Sequence, residues 1–240
     1  MKKLKVCWIS GGVSSLIAGY LAKDVDKLIY IHVANQHPDT LRFVKECAEV
    51  LGKEVEILEH PMYKSVEDVI RKFRFINSPY GARCTMMLKK EVRHMWEKEH
   101  ADYDITYVWG FDRKEIKRAY RMVETFPEFN HEFPLIENKI SKERAHGILK
   151  ELGIRRPLMY DLGYSNNNCV GCVKGGMGYW NKIRVDFPEV FDRMAELERE
   201  IGMSCIKGVF LDELDPERGR MEKEIVADCG VSCYHVYGNR

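Results

Sequence analysis

The sequence has 240 residues, of which 45% are hydrophobic and 31% charged, and this balance is ordinary for a globular protein and excludes a disordered chain. The length suits one sizeable α/β core with an extension and leaves little room for two full domains. With 38 basic and 37 acidic residues, the net charge of +1 does not draw the whole chain to nucleic acid or to an anionic membrane.

The amino terminus indicates where the protein works. A basic start, Met1 to Lys5, precedes an apolar run that is too short for a signal peptide or a membrane span. We therefore expect a cytoplasmic protein without a membrane partner. Because a reducing compartment keeps thiols reduced, the 8 cysteines are expected to be metal ligands or catalytic thiols rather than disulfides.

The first part of the sequence alternates predicted strands with predicted helices. Short apolar runs predict strands over residues 5–9, 28–33, 55–58 and 105–109. Amphipathic segments predict helices over residues 15–23, 41–51, 65–73 and 86–99. Such alternation predicts an α/β fold with a doubly wound, mainly parallel sheet, which binds ligands at the carboxyl ends of its strands.

The pattern changes beyond residue 135. Helices are predicted over residues 142–152 and 188–201, with an Asn-, Cys- and Gly-rich loop over 160–179 between them and a cysteine-bearing tail after them. We therefore divide the chain into a nucleotide-binding core, residues 1–135, and a substrate- or metal-binding C-terminal region, residues 136–240, packed on that core.

A serine- and glycine-rich loop follows the first predicted strand. Such a loop presents backbone N–H groups at the positive end of a helix dipole, and Gly11 and Gly12 let phosphate oxygens come close. Ser10, Ser14 and Ser15 add hydroxyl donors. A plain turn with a helix cap is the alternative interpretation. Since the loop lacks a Gly-Lys-Ser ending, it does not favour a kinase or a switch GTPase.

The loop resembles the pyrophosphate loop of the adenine nucleotide alpha-hydrolase (PP-loop) superfamily, Ser-Gly-Gly-x-Asp-Ser, with Ser14 at the acidic position. Later segments resemble, in the same order, the phosphoadenosine-phosphosulfate (PAPS) reductase family of that superfamily. These segments are residues 35–40, 83–89, 110–118, 134–136 and 158–164, and the pair Cys169 and Cys172. The resemblance runs from about residue 5 to residue 180.

The resemblance implies a site for an adenine nucleotide, either ATP or PAPS and its unphosphorylated form APS. The implied nucleotide-binding residues are Ser10, Gly11, Gly12, Ser14, Ser15, His32, Asn35, Lys89, Gly110, Arg113 and Arg118. The implied catalytic residues are Ser10, Lys89, Arg113 and Cys229. The cationic side chains suit a polyphosphate or sulfonucleotide, although a solvated charge is the alternative for each, and a core histidine is the alternative for His32.

Two close cysteine pairs predict a metal centre. Cys169 and Cys172 form one pair and Cys229 and Cys233 the other, with Cys84 as the substitute for one of the last two. Four thiolates suit a zinc ion or an iron-sulfur cluster equally well by spacing. The resemblance to reductases that carry a four-iron cluster favours 4Fe-4S over zinc. Unliganded thiols are the remaining alternative.

The other cysteines have different expected roles. The residues around Cys229 resemble the Glu-Cys-Gly-Leu tail in which sulfonucleotide reductases keep a nucleophilic cysteine. Because a thiol held by a metal is a poor nucleophile, the ligand and nucleophile interpretations of Cys229 compete. Cys7, Cys47 and Cys205 lie among apolar neighbours and are expected to be buried structural cysteines.

Three functions follow from these features. We favour an ATP pyrophosphatase-type enzyme that adenylates a substrate with Mg²⁺ and couples this step to sulfur chemistry, since the full loop suits pyrophosphate. A thiol-dependent PAPS or APS reductase is the first alternative, and a noncatalytic, nucleotide-responsive, metal-stabilised adaptor is the second. The expected partners are an adenine nucleotide, an unknown acceptor substrate, a thiol or sulfur donor protein and a second copy in a homodimer.

Overall fold

A computed structural model describes residues 2–78, 81–221 and 224. Its centre is a five-stranded, all-parallel sheet in the order β3-β2-β1-β4-β5. The strands are β1 (Lys2–Trp8), β2 (Lys27–Ile31), β3 (Val55–Leu58), β4 (Tyr103–Val108) and β5 (Asn130–Glu132). The predicted α/β class with a doubly wound parallel sheet is confirmed.

The central strand β1 is apolar at its carboxyl end because it has neighbours on both sides. Val6 is paired with Lys27 of β2 and with Tyr107 of β4. Val6, Cys7 and Trp8 are all buried, so the strand reads as a continuous hydrophobic run rather than an alternating one. This pattern is typical of a parallel sheet covered on both faces.

Helices follow the strands as the alternation predicted. The α-helices are α1 (Val13–Leu21), α2 (Asp39–Val50), α3 (Val66–Phe73), α4 (Arg83–Thr85), α5 (Val92–Glu99), α6 (Ile116–Thr125), α7 (Pro134–Glu137), α8 (Lys142–Glu151), α9 (Leu158–Asp161), α10 (Met177–Asp186) and α11 (Pro188–Ile201). A π-helical turn covers Met86–Glu91, and 3-10 turns cover Arg113–Glu115 and Leu211–Glu213. In the described part of the chain, no helix is both long enough and apolar enough to cross a membrane.

Most predicted elements occur within a few residues of their expected bounds, and the exceptions have physical reasons. The helix predicted over residues 86–99 is a π-helical turn followed by α5. The strand β5 escaped prediction because Asn130, His131 and Glu132 form no apolar run. Helix α10 begins inside the segment expected to be a loop, since its first residues follow two glycines that favour a turn.

The described chain forms two compact units, and the division at residue 135 into a nucleotide-binding core and a C-terminal region stays a prediction. The first unit comprises residues up to 32, 37–58 and 93–167, and it contains the whole sheet. The second comprises residues 33–36, 59–92 and the described part of 168–240. The segment 136–167 therefore belongs with the sheet.

The core of the first unit packs α1, α2 and α8 against the sheet. Leu16 and Ile17 of α1, Phe43 of α2 and Leu149 of α8 are buried in one apolar cluster. Cys7 lies in this cluster, and burial raises the pKa of its thiol to about 12. A thiol that stays protonated is a poor nucleophile, in line with the structural role expected of this residue.

The second unit is built around α10 and α11. Trp180 of α10 and Phe191, Met194 and Leu197 of α11 are buried there. Glu198, on the same face of α11, is fully buried, and burial raises the pKa of its carboxyl group. This carboxyl group accepts hydrogen bonds from Cys205 N and Leu211 N, which offset the free-energy cost of its burial.

Candidate functional site

The glycine-rich loop lies at the topological switch point of the sheet. The chain runs from β1 to β2 on one side, whereas β4 is paired with β1 on the other. Residues 10–12 follow the carboxyl end of β1, and Trp109 and Gly110 follow the carboxyl end of β4. Open parallel sheets bind ligands in the crevice that forms at this point.

Serine side chains brace the loop from inside. The Ser15 hydroxyl accepts a hydrogen bond from Ser10 N at 3.0 Å and donates one to Gly12 O at 2.9 Å. The Ser10 and Ser15 hydroxyl oxygens are 3.1 Å apart, and Gly12 N donates to the Ser10 hydroxyl at 3.3 Å. Because Ser15 is buried, its role is to hold the loop in shape, whereas the exposed Ser10 can also reach a ligand.

The start of α1 is suited to an anion. Gly12 is the N-cap residue and has no side chain to cap the helix, and the first turn contains no acidic residue. Backbone N–H groups at such a helix start favour a phosphate group through hydrogen bonds and the helix dipole. Ser14, in the first turn, is half-buried.

Two glycines in this region are required by close packing. Gly11 has φ +79°, and a Cβ atom there would lie 2.6 Å from Thr40 Cγ2. A Cβ atom at Gly110 would lie 2.6 Å from the backbone N and Cα of Ser15. The structure therefore brings the predicted Gly110 directly against the start of α1.

Asn167 holds the loop from outside and was not predicted. Its Nδ2 atom donates to Gly11 O at 2.7 Å and to Thr40 Oγ1 at 3.0 Å. Its Oδ1 atom is buried and has no hydrogen-bond partner among the described residues. The only sequence signal for this residue was the run of asparagines at 166–168. That signal is local, whereas the hydrogen bonds that position Asn167 join residues more than 120 positions apart.

Tyr160 also lies at the loop, whereas the sequence pointed to it only as part of the segment 158–164. Its hydroxyl oxygen lies 3.4 Å from the position of a Cβ atom on Gly12. The His146 ring packs edge-on against Tyr160 at 4.8 Å, and Lys142 Nζ lies 6.0 Å from the Tyr160 ring centre. Burial, followed by the nearby cations Arg156 and Lys142, lowers the pKa of His146 and so favours its neutral form.

Three other predicted nucleotide residues of the first unit have protein contacts of their own. The His32 ring lies 6.0 Å from that of Tyr30. Arg118 pairs with Glu115 at 2.6 Å and stacks over the Phe111 ring at 4.2 Å. Arg113 is exposed. Their roles toward a nucleotide stay predictions from the sequence.

Asn35 and Lys89 belong to the second unit. Asn35 donates from Nδ2 to Glu67 at 2.7 Å and accepts from Val66 N at 2.7 Å, so its side chain fixes the start of α3. Lys89 is half-buried in the π-helical turn. The hydrogen bonds of Asn35 have a structural role, and the nucleotide-binding roles of Asn35 and Lys89 stay predictions.

The pair Cys169 and Cys172 lies in a turn that is held by hydrogen bonds to Tyr179. The Tyr179 hydroxyl accepts from Cys172 N at 2.9 Å and donates to Cys169 O at 3.1 Å. Gly171 between them has φ +73°. The other two ligands of the predicted set, Cys229 and Cys233, lie outside the described residues.

Within residues 2–78 and 81–221 and at 224, no three His, Cys, Asp or Glu side chains are grouped so as to hold a metal ion. The described donors therefore do not fit a single zinc ion as placed. Neither Mg²⁺ nor an iron-sulfur cluster is established by this arrangement, and both stay predictions from the sequence.

Comparison with known proteins identifies the fold. No protein-family model and no curated protein matches the sequence. The solved structure of PAPS reductase from Candida auris, a phosphate complex, is similar with a TM-score of 0.50 and 16% identity over 69% of this chain and 80% of that one. The U34-tRNA thiolase NcsA from Methanococcus maripaludis, solved with its 4Fe-4S cluster, has a TM-score of 0.44 and 17% sequence identity. That similarity covers 83% of this chain and 67% of the thiolase chain. The likeness to the reductase shows a shared adenine nucleotide alpha-hydrolase-like fold, as the sequence resemblance implied.

Proposed function

We propose that the chain is an adenine-nucleotide-binding PP-loop enzyme that adenylates its substrate in an ATP pyrophosphatase-type reaction coupled to sulfur chemistry. The observation that carries the proposal is the braced loop of residues 10–12 before α1 at the switch point of the sheet. Its ordered resemblance to the PAPS reductase family and the fold shared with such a reductase support the choice of nucleotide.

In this proposal the loop holds the β- and γ-phosphates of ATP. The N–H groups at the start of α1 and the Ser10 hydroxyl donate to phosphate oxygens, and the glycines let those oxygens come close. Mg²⁺, when bound, neutralises charge on the phosphates. A substrate oxygen then attacks the α-phosphorus, the bond to the β-phosphate oxygen breaks, and pyrophosphate leaves. Arg113 is proposed to balance the developing charge, as the sequence resemblance implies.

The experiment that tests this proposal changes the charge at the start of α1. Gly12 has an extended backbone, which an L-residue adopts without strain, and Asp is a favourable N-cap residue. The Gly12→Asp variant should therefore fold at least as well as the natural chain, yet its carboxylate should repel a phosphate group. We expect ATP affinity, measured by calorimetric titration, to fall at least tenfold.

The neutral variant Gly12→Asn is the matched control, because it has nearly the same size and also caps a helix. We expect it to bind ATP more tightly than Gly12→Asp by a factor of several. Equal affinities in both variants and in the natural chain would exclude this loop as the phosphate site. Binding without pyrophosphate release in the presence of any acceptor would instead favour the adaptor.

A thiol-dependent sulfonucleotide reductase is the second candidate, favoured by the fold shared with a PAPS reductase. In that reaction the Cys229 thiolate would attack the sulfate sulfur and expel the adenine nucleotide, and a second thiol would release sulfite. Sulfite release from PAPS or APS with a dithiol, lost in Cys229→Ser, distinguishes this reaction from ATP-dependent pyrophosphate release.

A further inference from the structure

The opening above Gly12 is bordered by two hydroxyl groups. A Cβ atom added to Gly12 would lie 3.4 Å from Ser10 Oγ and 3.4 Å from the hydroxyl oxygen of Tyr160. The two residues are far apart in the sequence, since Ser10 follows β1 and Tyr160 lies in α9. Hydrogen bonds between oxygens span about 2.5–3.0 Å, so a ligand oxygen in this opening lies close to bonding distance of both hydroxyls.

The hydrogen bonds inside the loop limit what Ser10 can offer. The Ser15 hydroxyl donates its single proton to Gly12 O, so the proton between the Ser10 and Ser15 hydroxyls belongs to Ser10. Ser10 therefore donates to a phosphate only when it gives up its bond to Ser15. A loop with this hydrogen-bond pattern benefits from a second hydroxyl group at the opening.

Packing holds the Tyr160 ring in place. The ring packs against the apolar core of the first unit, and the His146 ring meets it edge-on at 4.8 Å. The backbone N of Tyr160 donates to Pro157 O at 3.0 Å. Because the ring is already held, little conformational entropy is lost when its hydroxyl group binds a ligand.

Lys142 of α8 adds a positive charge near this ring. Its Nζ atom lies 6.0 Å from the ring centre and donates to Ser165 O and, at 2.8 Å, to Asn166 Oδ1. Both acceptors are neutral oxygens, so these bonds orient the ammonium group without neutralising its charge. A cation near the opening favours an anionic ligand there.

We propose that Tyr160 is a phosphate-binding residue, whose hydroxyl group donates, together with that of Ser10, to an outer phosphate in the opening above Gly12. The proposal rests on the proposed function, because it assigns a further donor to the same site. It gives the loop a preference for ligands that contain a pyrophosphate group. When the bond to the α-phosphorus breaks, negative charge develops on the departing pyrophosphate, and a donor at this position stabilises it.

Tyr160→Phe tests the proposal, because it removes the hydroxyl group and keeps the ring that packs against His146. Calorimetric titration of the full chain in Mg²⁺ with inorganic pyrophosphate, ATP and AMP measures the effect. We expect the affinities for pyrophosphate and ATP to fall about tenfold or more, as for the loss of one hydrogen bond to a charged group, and that for AMP to stay within about twofold. Tyr20→Phe, at an exposed tyrosine near the end of α1, is the matched control and should leave all three unchanged.

Equal pyrophosphate affinities in Tyr160→Phe and the natural chain would overturn the proposal. An equal loss for AMP would also overturn it, since the change would then disturb the loop as a whole. A natural chain that binds neither pyrophosphate nor ATP contradicts the proposed function itself. A natural chain that binds both, beside a Tyr160→Phe variant that binds them equally well, contradicts only the role of Tyr160.

Gly12→Ala decides the question if Tyr160→Phe fails to fold by circular dichroism. The extended backbone of Gly12 accepts alanine without strain, and the added methyl group would occupy the opening between the two hydroxyls. Weaker pyrophosphate binding in this variant supports the proposal. Binding as tight as that of the natural chain would show that no phosphate oxygen lies in the opening, and would overturn it.

Discussion

At the scale of single residues, the shape of the phosphate loop depends on a side chain far away in the sequence. Asn167 donates to both Gly11 O and Thr40 Oγ1 from a buried position. The close contact between Gly11 and Thr40 leaves no room for a Cβ atom, so the loop depends on both the glycine and the amide. Asn167 thus positions the loop that we propose to bind the nucleotide.

Replacing Asn167 with Ala should weaken both stability and nucleotide binding. The change removes the donor for two buried acceptors, which costs about 1–3 kcal/mol of unfolding free energy, and it frees the loop. Urea unfolding and ATP titration measure the two effects. Asn166→Ala, at an exposed neighbour that accepts from Lys142, is the control and should change each by much less. Equal effects of the two variants would contradict the positioning role.

At the scale of elements, a carboxylate at the start of α2 ties that helix to the start of α9. Asp39 accepts from Arg42 at 2.6 and 2.9 Å, from Arg155 at 3.0 Å and from Leu158 N at 2.8 Å. The Arg42 hydrogen bond is the largest cause that lowers the pKa of Asp39 to about 2. A negative charge in the first turn of a helix is also favourable to the helix dipole.

The low pKa of Asp39 predicts a pH dependence of stability. Since its pKa is lower in the folded protein than its ordinary value of 3.8, the stabilisation is present above about pH 4 and is lost as the pH falls toward 2. We expect Asp39→Asn to cost about 1–2 kcal/mol at neutral pH and to lose less stability than the natural chain between those pH values. Urea unfolding across this range measures the difference.

Asp161→Asn provides the comparison for that series. The Asp161 carboxylate pairs with Arg156 at 2.6 Å, but both side chains are more than two fifths exposed. Exposed pairs contribute little, so this variant should lie within about 0.5 kcal/mol of the natural chain at each pH. If the curves of both variants run parallel to that of the natural chain, Asp39 is not the group responsible.

At the scale of the whole molecule, strand order decides where a crevice suited to a ligand forms at the edge of the sheet. Because β1 is flanked by β2 and β4, the turns after β1 and β4 leave the sheet side by side and form the crevice. The first compact unit therefore carries the braced loop, Gly110 and Asn167 together. The buried cysteines Cys84 and Cys205 belong to the second unit.

If nucleotides bind at this crevice through their outer phosphates, ATP should stabilise the folded protein more than AMP does. ATP at about a hundred times its dissociation constant should add about 2.7 kcal/mol, or about 5–10 °C in Tm for a chain of this size. AMP at the same concentration should give a much smaller shift, and Gly12→Asp should abolish the difference between the nucleotides. Equal shifts with ATP and AMP in the natural chain would show that the loop does not hold the outer phosphates.

The sequence by itself determined what depends on local pattern. Alternating apolar runs and amphipathic segments predicted the parallel sheet, and β3 and α11 occur at the predicted bounds. The glycine loop was predictable because a strand, two glycines and a helix follow one another directly. The polar strand β5 was not predicted. Its strand conformation comes from pairing with β4 and not from an apolar pattern in its own residues.

Only the tertiary structure decided which distant residues come into contact with one another. Asn167 lies 156 residues from Gly11, and Asn77 lies 128 residues from Cys205, so no local spacing predicts either bond. The metal pairs Cys169 and Cys172, and Cys229 and Cys233, were predicted from their close spacing alone. Cys205 was interpreted as a structural core cysteine, and it is buried. The physical reason is that periodicity and turn chemistry act over a few residues, whereas packing joins segments that the chain itself keeps far apart.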